Sequence, residues 1–122
     1  MPRPILDDER IHPAIRAEIA DRHADIVHNV QAAAGSNAVL VVGMDWNPHV
    51  ARARRTLTDA GIQHHALSFG NHLTGWRRRN ALKMWTGWPT FPMVFVKGTL
   101  VGGADDLARL VASGELKRMI GS

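Results

Sequence analysis

Residues 38–43, AVLVVG, form an apolar run of strand length with no polar side chain on either alternating face. A strand of this kind needs cover on both faces, which selects an α/β layer architecture over a sheet with one wet face. The segment after it supports that reading. From Pro48 to Ala60 a proline stands near the first helical position and Gly61 lies just past the end, the start and stop signals of a helix. Ile62 to Ser68 then reads as a second strand, although Gln63-His64-His65 is polar. Strand, helix and strand in that order give a parallel pair with a right-handed crossover.

The flanks complete one α/β domain. Residues 7–34 predict a single helix, with Asp7 and Asp8 as N-terminal carboxylates, Pro13 suited to a first turn, and Ile15, Ile19, Ile26, Val27 and Val30 at helical spacing. Gly35-Ser36-Asn37 ends it. Gly70 to Gly75 reads as a loop, Trp76 to Trp85 as a helix, and Gly87 as its stop. After TGWPTFP, the run MVFVKG, a turn at Lys97-Gly98 and TLVGG predict an antiparallel hairpin. A last helix runs from Ala104 to Ile120, so the order is α-βαβα-ββα. The chain divides into a helical extension over 1–37 and a domain over 38–122. With 122 residues, 45% apolar, the chain is long enough for one self-sufficient core.

The cysteine count of zero limits function more than any other number. It removes disulfides, thiolate metal sites, cysteine nucleophiles and thiol–disulfide exchange by the chain's own residues. The formal net charge of +4 is small and scattered, and nucleic-acid binding is not expected from it. No apolar run approaches the roughly 18–20 residues that span a bilayer, and MPRPILDDERIHP lacks an apolar signal core, so the expectation is a cytoplasmic protein without membrane association.

Three motifs carry a resemblance. A strand feeds a helix through Asn47-Pro48-His49-Val50. Trp88-Pro89-Thr90-Phe91-Pro92 stands just before a strand. Gly102-Gly103-Ala104-Asp105-Asp106 marks a strand-to-helix turn. In order and spacing these resemble the glutaredoxins, small thioredoxin-fold proteins that use glutathione. TGWPTFPMVFVKGTLVGGADDL is most similar to the monothiol members, and the likeness runs from about Ala38 to Ile120. It implies a three-layer thioredoxin-like (glutaredoxin) fold, a mixed four-stranded sheet flanked by helices, with an extra N-terminal helix. It also implies a glutathione groove. Phe91 would pair its backbone with the cysteinyl part of the tripeptide beside a cis bond to Pro92. Gly103, Ala104, Asp105 and Asp106 would grip the γ-glutamyl end, Arg79 would meet the glycyl carboxylate, and Asn47 would stand at the mouth.

The departures from the family fall at the mouth. The resemblance places Asn47 where the reactive cysteine belongs and Val50 at the second, optional cysteine, so Met44, Asn47, Pro48, His49 and Val50 form a degenerate active-site loop. Asparagine cannot act as a thiolate, yet it can cap the helix by accepting an N–H from His49 or Val50. Met44 replaces a lysine that would favour an anion, and Asp45 beside it opposes one. The [2Fe–2S] cluster of monothiol glutaredoxins is not expected here, because its protein thiolate is missing. His49 alone is read as a solvated residue, and His64-His65 as a poor chelate across a strand.

No catalytic or metal-ligating residue is therefore assigned. The expected function is a non-catalytic glutathione- or partner-binding or regulatory module, with conventional thiol–disulfide oxidoreductase activity excluded by the absence of cysteine. BolA-family proteins are the partner class that the resemblance brings into view, and the sequence is silent on oligomeric state. Two alternatives stay open: an enzyme using glutathione itself as nucleophile, with Asn47 donating to its thiolate, and a basic interaction module built on Arg52, Arg54, Arg55 and Arg77 to Arg79. Trp76, Trp85 and Trp88 are expected in the core, and Trp46 is expected exposed in the mouth loop.

Overall fold

A computed structural model describes residues 3–70 and 74–121. Val39–Gly43 (β1), His65–Ser68 (β2), Met93–Val96 (β3) and Thr99–Gly102 (β4) form one mixed sheet in the order β2–β1–β3–β4. β1 pairs parallel to β2, with Leu40 opposite His65, and antiparallel to β3, with Leu40 opposite Phe95. β3 and β4 form the hairpin over Lys97-Gly98, with a register shift at Val94/Phe95. Lys97 and Gly98 both take positive φ, 49° and 82°, as a tight turn of this kind demands.

Six α-helices accompany the sheet among the described residues: Pro13–Asp21 (α1), Ala24–Ser36 (α2), Pro48–Asp59 (α3), Trp76–Thr86 (α4), Ala104–Ala112 (α5) and Glu115–Gly121 (α6). Period-two alternation divides the core. Leu40, Val42, Met93 and Phe95 point to one face, against Ile26 and Val30 of α2 and Leu82 of α4. Val39, Val41, Val94 and Val96 point to the other, against Leu57 of α3, Leu107 of α5 and Leu116 of α6. Each fully buried aliphatic side chain of this size contributes about 1.5–3 kcal/mol of transfer free energy. The continuous apolar run of β1 is thus explained by a helical layer on each side.

Two helices that the sequence presents as continuous are broken. The expected helix over 7–34 is a 3₁₀ turn at Asp8–Arg10 followed by α1 and α2, with the break at Arg22 and His23. Arg22 leaves the helical region at ψ 113°, and His23 is left-handed at φ 53°. α1 opens at Pro13, as its fixed φ suits, and is capped by the His12 Nδ1, which accepts the Ala14 N–H at 3.1 Å. Gly35 and Ser36 continue α2 rather than end it, and Asn37 is the C-cap. The expected final helix splits at Ser113-Gly114, where Gly114 takes φ 79°. Trp76 departs from its expected place too, standing exposed at the first turn of α4, whereas Trp85 and Trp88 pack against the core. The loop expected over 70–75 is described only in part, since residues 71–73 lie outside the described residues.

Candidate functional site

β1 delivers the chain to the mouth of α3. Gly43 ends the strand and packs so closely on the first turn of α3 that a Cβ there would stand 2.5 Å from the Val50 Cγ2. Val50 is therefore a packing residue, wedged between helix and strand. Between them Met44 is half-buried, while Asp45 and Trp46 are exposed. The Asp45 N–H donates to the Gly70 carbonyl at 2.7 Å, and its carboxylate accepts the Ser68 hydroxyl at 2.6 Å, so the mouth loop is tied to the end of β2. Trp46 takes φ 61°, an unusual value for a bulky side chain, and is 75% exposed.

Asn47 caps α3. Its Oδ1 accepts the His49 N–H at 2.8 Å and the Val50 N–H at 3.2 Å. These are the unpaired donors that a helix N-terminus offers to an anion. Here the chain's own amide takes them. Pro48 occupies the first helical position and His49 is exposed beside it.

The Trp88–Pro92 segment and the α5 turn lie against each other. The Phe91–Pro92 peptide bond is cis. Phe91 is buried, with the Lys83 ammonium 5.7 Å from its ring centre. Gly103 lies against both pieces: the position of a Cβ there is 3.6 Å from the Pro92 carbonyl oxygen and 3.7 Å from the Trp88 Nε1. That indole N–H is buried without a hydrogen-bond partner among the described residues. Gly102, at φ 116°, sits directly under the Asp106 carboxylate, where any Cβ would collide with it. Glycine is needed there both for its backbone conformation and for the close approach.

The two acidic residues of α5 have separate tasks. The Asp106 Oδ2 accepts the Gly103 N–H at 2.9 Å and its Oδ1 pairs with Arg109 at 2.6 Å, closing the helix start. Asp105 instead reaches across to Arg52 of α3 at 2.7 Å. Hydrogen bonding from the Arg52 guanidinium, and then its charge, hold the Asp105 carboxyl below the usual carboxylate range, with smaller help from Arg109 and His49. This ion pair joins the two helices whose N-termini carry Asn47 and the Gly103–Asp106 turn.

Arg79 has a structural task. It is 8% exposed, and its Nη1 donates to the Phe69 carbonyl at 2.9 Å and the Thr74 carbonyl at 2.6 Å. It thereby holds the segment after β2, the same segment whose Gly70 carbonyl receives the mouth loop. Pro92 and Gly103 thus come together beside Trp88, Asp106 joins them by accepting the Gly103 N–H, and Asn47 and Asp105 are linked to this turn through α3. The supports Ser68 and Gly70 are missing from any sequence motif, because they act 23 and 25 residues from Asp45. The residues present do not fit an iron–sulfur cluster: Asn47 offers an amide where a thiolate ligand would be needed.

The glutaredoxin family model matches residues 39–101, from the start of β1 into β4. A glutaredoxin-like protein of Dictyostelium discoideum is 41% identical over 98 residues, covering 80% of this chain and 80% of its own. A bifunctional monothiol glutaredoxin of Arabidopsis thaliana is 50% identical over 42 residues, 34% of this chain and 14% of its own length. Among solved structures, oxidized glutaredoxin 2 of Chlamydomonas reinhardtii superposes with a TM-score of 0.70 at 26% identity, over 81% of this chain and 94% of that one.

Proposed function

The chain belongs to the glutaredoxin family, and from that premise we propose that it is a member without thiol chemistry, a binding module whose cleft takes glutathione, a glutathionyl group or a partner docking in the same place. One observation carries this reading. The chain has no cysteine, and the residue at the helix mouth, Asn47, spends its side-chain oxygen on the two N–H groups that would otherwise face an incoming anion. The mouth keeps its shape and loses its nucleophile.

The γ-glutamyl side supports binding best. The Gly103–Asp106 turn begins a nine-residue helix, and Asp106 can exchange its exposed Arg109 partner for a ligand ammonium at little expense, since such surface pairs contribute only about 0–1 kcal/mol. The glycyl side is weaker, because the Arg79 Nη1 is engaged by backbone carbonyls and Met44 replaces a cation. Isothermal titration with reduced glutathione tests this. A saturable heat is expected, reduced by Asp106→Asn, which keeps an acceptor for the Gly103 N–H while removing the charge. No heat at millimolar glutathione would remove the ligand-binding form of the proposal.

A second reading rests on the Asn47 amide itself. With Oδ1 held by two N–H groups, Nδ2 is left as a donor, suited to the thiolate of a bound glutathione acting as nucleophile. A glutathione conjugation assay with wild type and Asn47→Ala decides it: equal, background-level rates exclude the transferase reading.

A further inference from the structure

α1 buries none of its residues, although it carries Ile15 and Ile19 one turn apart on a single face. Both stand about half exposed, Ile19 at 51%. α4 presents a similar face: Trp76, Asn80 and Met84 follow one another at four-residue spacing, and Met84 is 70% exposed. Between the two helices, with α2 as floor, runs a groove of about 970 Å³ lined chiefly by Ile15, Ile19, Val27, Trp76, Met84 and Trp85. None of its lining residues belongs to the Asn47–Asp106 cleft, and α1 lies ahead of the segment matched to the family.

An exposed apolar groove rimmed by charge marks an interaction surface. Among the described residues, the rim charge left without an ion pair is positive. Glu18 on the rim is neutralised by Arg22 at 2.9 Å, and Asp25 is taken by Arg78 at 2.9 Å. Arg77 lies on the rim with its guanidinium 5.2 Å from the centre of the Trp76 ring. α4 as a whole, WRRRNALKMWT, is basic with no acidic residue.

We propose that this groove seats an acidic amphipathic helix of another protein, its apolar stripe on Ile15, Ile19, Trp76 and Met84 and its carboxylates against Arg77. An apolar groove between helices is the kind of surface in which an amphipathic helix lays its apolar face. A flat bilayer surface would rest on the rim and leave the floor at Val27 and Trp85 unfilled. A second copy of this chain would bring Arg77 and the basic face of α4 against the same face, which like charges disfavour. Trp and Arg side by side on the rim are also the residue types that dominate interface energies.

The test uses the full chain and two fluorescently labelled helical peptides with the same leucine stripe, one flanked by glutamates and the other by lysines. Anisotropy titration should show saturable binding of the glutamate peptide and binding about tenfold or more weaker for the lysine twin. Met84→Glu and Ile19→Glu should each weaken the glutamate peptide by about tenfold. Arg77→Glu should reverse the preference between the peptides. Because Ile19 and Met84 are exposed, the thermal transition should not move, and if one variant does melt lower, the other carries the reading. Equal affinity for both peptides, or wild-type affinity in Met84→Glu, overturns the proposal. So does binding confined to phosphatidylglycerol vesicles, or a dimer in sedimentation equilibrium that Ile19→Glu abolishes.

Discussion

Arg79→Met separates the two tasks that a buried arginine at this place can have. The guanidinium Nη1 bridges the Phe69 and Thr74 carbonyls, and the methionine stem keeps most of the aliphatic packing while leaving both acceptors without this donor. A hydrogen bond from a charged donor contributes about 1.5–3 kcal/mol when its partner cannot turn to water. Phe69 is half-buried and Thr74 exposed, so water recovers part of the second bond. The expected loss is then about 2–3 kcal/mol. Urea unfolding followed by tryptophan fluorescence reads it, since the chain has four tryptophans. With a slope of about 1–3 kcal/mol per molar urea, the midpoint should fall by roughly 0.7–3 M at an unchanged slope. Arg79→Lys, which keeps the charge but not the fork, should fall about halfway between. A midpoint that stays at the wild-type value while glutathione heat disappears would refute the structural assignment and make Arg79 a ligand-contacting residue.

Other perturbations follow from the same geometry. Asn47→Ala removes the acceptor for two helix N–H groups and should lower stability by about 1 kcal/mol, whereas Asn47→Asp should hold or raise it; thermal melts at neutral pH distinguish them. Gly43→Ala drives a methyl into Val50 and should destabilise by about 1–3 kcal/mol, with much of that recovered in the Gly43→Ala/Val50→Ala double variant, as a double-mutant cycle would measure. Leu82→Ala, at a fully buried position of α4, should remove about 2–5 kcal/mol in chemical denaturation. The folded-state pKa of Asp105 is depressed, so its contribution to stability is present above the ordinary carboxylate range and disappears as pH falls through the folded value. Carboxyl NMR titration should show most of the depression lost in Arg52→Gln, with a remnant from Arg109 and His49, and should show it shrink in high salt, because the pair is exposed.

The fold was legible because β1 is apolar throughout and because Pro48 and Gly61 bracket α3. Those signals are local and strong. The breaks at Arg22-His23 and Ser113-Gly114 were harder to see. His23 adopts a left-handed conformation that its side chain does not announce, and a single glycine within a periodic run is ambiguous between tolerated and terminating. Within the site, Asn47 was readable as a cap from its place before Pro48. The burial of Arg79 was not, since Arg77 and Arg78 share its chemistry and only tertiary packing separates them. Trp76 shows the reverse error: a large aromatic at a helix start looks like core, but the groove beside α1 leaves it in solvent.

The cap at Asn47 also fixes what governs occupancy of the mouth. A cysteine there can form a mixed disulfide, so that its occupation tracks the reduction potential of the surroundings. With an amide in its place and no thiol anywhere in the chain, any ligand taken up at this mouth under the proposed function would be governed by mass action rather than by thiol–disulfide exchange. Dithiothreitol should leave a bound ligand in place, and dilution should release it fully.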